Sequence, residues 1–223
     1  MVTVAIIDDG LNYNDVKIDS KYSEFIVKKS QIKRYKSKKQ NTNSHGTICA
    51  KLISACNVND VEIISYKIKD EDKKGSVSDL VAAMNDAVKR NVNLIHMSVG
   101  STSSNDFEMI NGAVQDVLKH NICIVAAIDN EGVITYPASI GGVIGVKHNF
   151  ELICKKPQIA EPNSLGIDIE LCCPKIVEGI DGIPVPINYC NSFAAAKLSS
   201  IIVNYIIKGK IKHHSDVINI FAN

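Results

Sequence analysis

The stretch VTVAIIDDG, residues 2–10, is a run of β-branched and small apolar residues that ends in two carboxylates and a glycine. A continuously apolar run of this kind is typical of a strand that is covered on both faces. Parallel sheets place their chemistry at the carboxyl ends of such strands, although an Asp-Gly pair there is also commonly a turn. The stretch therefore predicts a core strand over residues 2–8, with Asp8 at a candidate functional edge.

Similar short apolar runs recur downstream and alternate with segments of helical periodicity. The runs that predict further strands are residues 61–67, 93–98, 122–128, 142–146 and 167–172. The segments that predict helices are residues 78–89, 106–119 and 192 to about 207. This alternation is typical of a parallel sheet with helices on both faces. The sequence thus predicts a doubly wound, mainly parallel α/β fold, with residues 1–223 forming a single domain.

Charge and cysteine content limit the partners and the compartment. The chain has 25 Lys+Arg and 24 Asp+Glu, which gives no global reason to expect a nucleic acid or a membrane as partner. Its 7 cysteines are an odd number and include no CxxC pair, so we expect reduced thiols, with Cys190 a packed thiol. The first residues lack the features of a secretion signal. These observations predict a cytoplasmic protein.

Two further segments place reactive side chains at predicted helix starts. In NSHGT, residues 43–47, His45 stands just before a helical run, where it is either an ordinary surface residue or a positioned base. In NSFAAA, residues 191–196, Ser192 begins the last apolar helix. A serine there is commonly a helix cap, but the same position also lowers the cost of negative charge on its Oγ.

Taken together, the segments resemble the subtilisin-like serine peptidase family. The matching blocks are DDG at 8–10, SHGT at 44–47, SVG at 98–100, AAIDNEG at 126–132, YPA at 136–138 and the serine block at 190–196. Their order Asp, His, Ser is the family's order, and the resemblance extends from residue 2 to about 209. It implies a catalytic triad of Asp8, His45 and Ser192, with Asn130 as the side-chain donor of the oxyanion hole.

The resemblance also implies a mechanism and a substrate site. Ser192 would attack the scissile carbonyl while His45 takes its proton and Asp8 holds the imidazole. The partner is then a peptide or protein substrate, bound as an added strand. No cofactor is expected, and no metal is expected because the chain lacks the long calcium-holding loop that is common in the family. The residues expected to bind it are Gly75, Ser76, Val77, Ser98, Val99 and Gly100, with Glu131 and Thr135 near the pocket for the residue before the scissile bond.

Departures from the family pattern leave alternatives to the leading prediction, a serine endopeptidase that processes a restricted precursor or leader peptide. Ala196 stands where the family has a helical proline, which favours a peptide ligase or macrocyclase on the same triad. Asp129 replaces a glycine beside Asn130, and together with Asn191 it favours a catalytically silent peptide-binding module. Product mass and labelling of Ser192 distinguish these functions.

One segment is strongly basic and has no clear apolar face: residues 28–39, KKSQIKRYKSKK. It predicts a surface loop, which is either a solvated excursion or a docking patch that attracts an acidic peptide.

Overall fold

The computed structural model describes residues 1–12, 16–37, 43–55, 59–69, 75–153, 155–211 and 215–222. The strands are β1 (Val2–Asp8), β2 (Lys21–Lys28), β3 (Gln31–Arg34), β4 (Val61–Lys67), β5 (Leu94–Met97), β6 (Cys123–Ala127), β7 (Ile144–His148), β8 (Gln158–Ile159), β9 (Ile169–Leu171), β10 (Ile176–Glu178) and β11 (Pro184–Pro186). The helices are α1 (His45–Ser54), α2 (Val77–Lys89), α3 (Phe107–Lys119), α4 (Asn191–Ile207) and α5 (Ser215–Phe221).

A nine-stranded sheet organises these elements, in the order β3-β2-β4-β1-β5-β6-β7-β9-β8. Every pairing from β2 to β9 is parallel, and the edge strands β3 and β8 pair antiparallel. Strands β10 and β11 form a separate hairpin. The prediction of a doubly wound, mainly parallel sheet is confirmed, whereas the assignment of residues 1–223 to one domain stays a prediction.

The central strand β1 shows why both faces of the sheet are covered. Val4 and Ile6 pack into the apolar layer formed with α1, α4 and α5. Ala5 and Ile7 point the other way, into the layer formed with α2 and α3. All four are fully buried, and because strand side chains alternate between faces, a continuous apolar run serves both layers.

The basic segment at residues 28–39 is not a loop, so that prediction was wrong. Its described part ends β2, turns at Lys29 and Ser30, which have positive φ angles of 51° and 59°, and continues as β3. Because β3 is an edge strand exposed along most of its length, no apolar periodicity marked it in the sequence. Residues 38 and 39 lie outside the described residues.

The start of α4 is fixed to the ends of neighbouring strands by the buried side chain of Asn191. Its Nδ2 donates to the carbonyl oxygens of Ile128 (3.3 Å) and Asp129 (3.0 Å), just beyond β6. Its Oδ1 accepts from the backbone N–H of His148, the last residue of β7, at 2.8 Å. The position of Ser192 is therefore set by the carboxyl edge of the sheet, where Asp8 also lies.

Among the helices of the described residues, none combines the length and the apolar content that crossing a bilayer requires.

Candidate active site

Asp8 and His45 form the innermost pair of the site. Asp8 ends β1 with only 1% of its surface exposed, and its Oδ2 lies 2.6 Å from Nδ1 of His45. The backbone N–H of Asp9 donates to the other oxygen, Oδ1, at 2.8 Å. A carboxylate bonded to Nδ1 fixes the tautomer of a neutral imidazole and leaves Nε2 as the basic atom. The structure thus brings together two of the three predicted triad residues.

Asp9 holds the first turn of the helix that carries His45. Its Oδ2 accepts from the backbone N–H of His45 at 3.1 Å, and its Oδ1 accepts from that of Gly46 at 2.8 Å. Ser44 adds an N-cap, because its Oγ accepts from the N–H of Thr47 at 3.2 Å. Sequence reasoning gave Asp9 no role, although two consecutive carboxylates at a strand end were a visible signal.

The charge states of the pair follow from their surroundings. Burial raises the pKa of the Asp8 carboxyl, but His45, Lys69 and the N–H of Asp9 together hold that pKa below its usual value. Burial lowers the pKa of His45, whereas Cys49 and Asp8 raise it, and the net direction is upward. Because burial also raises the pKa of the Cys49 thiol, that thiol is neutral near pH 7 and Asp8 is the charge that acts there. Asp8 and His45 therefore each favour the charged form of the other.

Ser192, the predicted nucleophile, is the second residue of α4 and is partly buried. Within the described part of the chain, no hydrogen bond joins Ser192 to His45. The ring of the next residue, Phe193, instead stacks on the imidazole, with centroids 5.0 Å apart and planes at 20°. The sulfur of Cys190 is also close enough to the imidazole to make a smaller contribution to the raised pKa of His45. The residues near His45 at the start of α4 are thus Phe193 and Cys190, which flank Ser192.

Asn130, the predicted oxyanion donor, is exposed beside the start of α4. Its Oδ1 accepts from the backbone N–H of Asn191 at 3.1 Å. That bond fixes which way the amide faces, so Nδ2 remains as the donating group. The carboxylate of Asp129 accepts from the backbone N–H of Glu131 at 2.7 Å. The carboxylate of Asp129, which departs from the family pattern, is therefore hydrogen-bonded within the local turn.

The two segments expected to hold an extended peptide face each other across a cleft of about 360 Å³. The predicted residues that line it are Gly75, Ser76, Val77, Ser98, Val99 and Gly100. Lys69 lines the same cleft, and its Nζ lies 3.5 Å from Oδ1 of Asp8 and 3.5 Å from the carbonyl oxygen of Ser98. Sequence reasoning missed Lys69, because nothing in the sequence showed that it lies beside Asp8.

A second pocket, of about 530 Å³, is lined in part by Asn130. Glu131 lines it, together with three rings that contact one another, those of His148, Phe150 and Tyr189. Thr135 does not line it. Thr135 is buried beneath the cleft floor, where its Cγ2 would lie 2.7 Å from a Cβ added at Gly100. That Glu131 and Thr135 lie near the pocket for the residue before the scissile bond stays a prediction.

A buried histidine links the cleft to the sheet. His96 is fully buried in β5, and its Nε2 lies 3.0 Å from Oγ of Ser98 while its Nδ1 lies 3.1 Å from Oγ of Ser199 in α4. Burial lowers the pKa of His96 to about 4, so the ring is neutral near pH 7. A neutral ring bonded on both sides orients the hydroxyl of Ser98 at the cleft wall.

The donor atoms of Asp8, His45 and Cys49 lie within 4.8 Å of one another, a set that has the chemistry of a metal site. A metal there would have to replace the 2.6 Å hydrogen bond between Nδ1 of His45 and Asp8. The geometry is thus that of a hydrogen-bonded pair, and the expectation that the protein uses no metal or cofactor stays a prediction.

Comparison with known proteins is consistent with this architecture. The chain is 28% identical over 185 residues to a thermostable alkaline protease of Halalkalibacterium halodurans (strain C-125), an alignment that covers 78% of this chain and 47% of that protein. The chain therefore spans about half the length of that curated relative.

Solved structures share the fold at low sequence identity. A cold-adapted subtilisin-like serine proteinase gives a TM-score of 0.72, a lanthipeptide protease gives 0.68 and a psychrophilic protease designated S41 gives 0.74, each at 18% identity. Each comparison covers 98% of this chain, with 80%, 79% and 81% of the respective neighbour. The model of the subtilase family, peptidase S8, matches residues 1–212. Because that match spans nearly the whole sequence, the chain belongs to the subtilase family.

Proposed function

We propose that this chain is a serine endopeptidase that cleaves peptide bonds through an acyl-enzyme, with Asp8, His45 and Ser192 as its triad. The observation that carries the proposal is the bond between a buried carboxylate and Nδ1 of His45 at the head of α1. A base held in this way removes the proton from a serine hydroxyl, which is otherwise a poor nucleophile. Ser192 stands one residue before the ring that contacts this base.

In the proposed reaction, a peptide lies in the cleft between Gly75–Val77 and Ser98–Gly100 as an added strand. Ser192 Oγ bonds to the scissile carbonyl carbon while His45 takes the hydroxyl proton and then gives it to the leaving amine. The amide of Asn130 and the backbone N–H of Ser192 donate to the oxyanion. Water then hydrolyses the acyl-enzyme by the same route. No metal or cofactor enters these steps.

The substrate we propose is a restricted precursor or leader peptide that carries acidic residues. Support comes from the basic hairpin of β2 and β3, whose cations Lys28, Lys33 and Arg34 are exposed. The N–H of Ser30 in its turn donates to Oδ1 of Asp79 at 2.7 Å, in the first turn of α2. Because the start of α2 also lines the cleft, this bond joins the hairpin to an element that borders the proposed substrate path. The free state of Cys49, Cys123, Cys172, Cys173 and Cys190 supports the cytoplasmic location that we propose.

A catalytically silent peptide-binding protein is the second candidate, favoured by the stacking of Phe193 on His45 in place of a Ser192–His45 hydrogen bond. A ligase or macrocyclase on the same triad remains an alternative outcome for the acyl-enzyme, and the fully buried Ala196 is the residue that motivates it.

Intact mass after incubation with a fluorophosphonate probe tests the proposal. A single adduct on the wild type, absent from Ser192→Ala and much slower to form on His45→Ala, is expected. Folded wild-type protein without an adduct would contradict the proposal and favour the silent protein. With a peptide library, hydrolysis adds the mass of one water to the products, whereas cyclisation or ligation does not.

A further inference from the structure

Lys69 is placed between the buried carboxylate of the site and the cleft. It follows β4 by two residues, and the N–H of Ile68 continues the pairing by donating to the carbonyl of Asp8 at 2.9 Å. This pairing brings Nζ of Lys69 to 3.5 Å from Oδ1 of Asp8, with 24% of the side chain still exposed. The ammonium therefore faces both the buried carboxylate and the space where a peptide would lie.

The contacts of Lys69 leave it able to accept a further partner. Both of its hydrogen bonds, to Asp8 and to the carbonyl of Ser98, are long at 3.5 Å. Asp8 is already paired by a shorter bond of 2.6 Å to His45. An ammonium has three donor directions, so a third acceptor on the cleft side completes its coordination.

The cleft around Lys69 offers little competing acid in its described lining. The acidic residue there is Asp106, and its Oδ2 already accepts a hydrogen bond from Oγ of Ser101. The remaining described lining of the cleft is apolar, glycine or serine. A carboxylate entering this cleft therefore meets Lys69 as its charge partner in a partly desolvated setting, where a charged hydrogen bond is stronger than at an open surface.

We propose that Lys69 is a specificity-determining residue that selects peptides placing an aspartate or glutamate side chain in this cleft. The inference rests on the proposed function in one respect, that the cleft holds the peptide. It gives the acidic preference a definite origin: one ammonium bonds the substrate carboxylate on one side and faces Asp8 on the other. In a correctly placed acidic peptide, the carboxylate would therefore be separated from Asp8 by the ammonium of Lys69 alone.

Binding by the Ser192→Ala protein tests this inference without catalysis. Fluorescein-labelled heptapeptides are made as paired pools, in which a single position is fixed as Asp in one pool and as its neutral isostere Asn in the other. Each of the seven positions is tested in turn, and fluorescence anisotropy gives the affinity of each pool. We expect roughly 5- to 30-fold tighter binding of the Asp pool at one position. Adding Lys69→Met should remove the preference, and Lys69→Glu should reverse it in favour of Asn.

Lys89→Met is the matched control, since it removes the same charge from an exposed site in the last turn of α2. The inference is overturned if the Asp preference survives Lys69→Met, if Lys89→Met removes it equally, or if neither pool binds to protein that is folded by circular dichroism. The proposed function fails separately: an Asp preference that depends on Lys69, together with no cleavage by the Ser192-containing protein, would leave the inference standing and the peptidase proposal refuted.

Discussion

The ring of Phe193 lies almost parallel to the imidazole of His45, with centroids 5.0 Å apart. Phe193 is 6% exposed, so this contact is made in a largely desolvated setting. An aromatic face stabilises a cation placed over it, and the Asp8 carboxylate already favours the imidazolium form of His45. If His45 acts as the proposed base, contact with Phe193 should therefore disfavour the neutral imidazole that this role requires.

Replacing Phe193 by leucine should remove this stabilisation of the imidazolium. Phe193→Leu keeps the site apolar but removes the aromatic face, so the pKa of His45 should fall and fluorophosphonate labelling of Ser192 at pH 7 should accelerate. The cost in stability should stay near 1 kcal/mol, as for other swaps among apolar core residues. Phe193→Tyr keeps the ring and should label at the wild-type rate. Slower labelling of the leucine variant would mean that the ring positions His45.

The rate of labelling should rise with pH in the wild type, because labelling requires a neutral imidazole and the pKa of His45 is raised above its usual value. Asp8→Asn removes the charge that raises this pKa, so its labelling should reach half-maximum at a lower pH. Its plateau should nevertheless be much lower, since an amide no longer fixes the correct tautomer. Labelling rates measured from pH 5 to 10 check both features. Coincident midpoints for the two proteins would show that Asp8 does not control the proton on His45.

Stability should also depend on this pair, in the acid range. The pKa of Asp8 is lowered in the folded state, so its contribution is present above the unfolded value of about 4 and is lost as pH falls through the folded value. The difference in free energy of unfolding between wild type and Asp8→Asn should therefore shrink from pH 6 to pH 3. Urea denaturation at each pH measures it. A constant difference would contradict the lowered pKa.

Asp9 should contribute to stability through the first turn of α1. Asp9→Ala removes the acceptors of two backbone N–H groups, those of His45 and Gly46, and should cost about 1–2 kcal/mol in urea denaturation. Asp9→Asn keeps one acceptor oxygen and should cost less. An equal loss in both variants would assign the effect to the negative charge instead of the hydrogen bonds.

Asn130 should act through its Nδ2 group. Asn130→Asp keeps an oxygen to accept from the N–H of Asn191 but removes the amide donor, so it should leave the α4 turn intact. Both Asn130→Asp and Asn130→Ala should lower kcat on a cleaved peptide by about 10²- to 10³-fold, with little change in KM. A kcat near the wild-type value in either variant would remove Asn130 from the oxyanion role.

Strands that serve both faces of the sheet were the easiest to predict. The bounds of β1 and β4 agree with the predicted runs at both ends, because a strand buried on two sides is continuously apolar. The hairpin of β2 and β3 was missed because most of β3 is exposed. Strand β8 has two residues, and strands β9, β10 and β11 have three each. Of these, β8, β10 and β11 carry too little pattern to detect in the sequence.

For the candidate site, the sequence predicted which residues at the ends of helices and strands come together, but not the side-chain contacts that depend on strand pairing. Asp8 and His45 were recognised and lie in contact, since each stands at the end of a well-defined element. The contact of Lys69 with Asp8 depends on the pairing of β4 beside β1, which no local pattern reveals. The burial of Thr135 likewise depends on its close approach to Gly100.

The four hydrogen bonds that hold Asn191 bear on how fast the site can rearrange. With its N–H, both amide hydrogens and its oxygen engaged by residues of other elements, the head of α4 resists displacement as a body. Rotation of side chains, and not a slower movement of the helix as a body, should therefore bring the hydroxyl of Ser192 to Nε2 of His45. Progress curves should accordingly start at full velocity, without a lag.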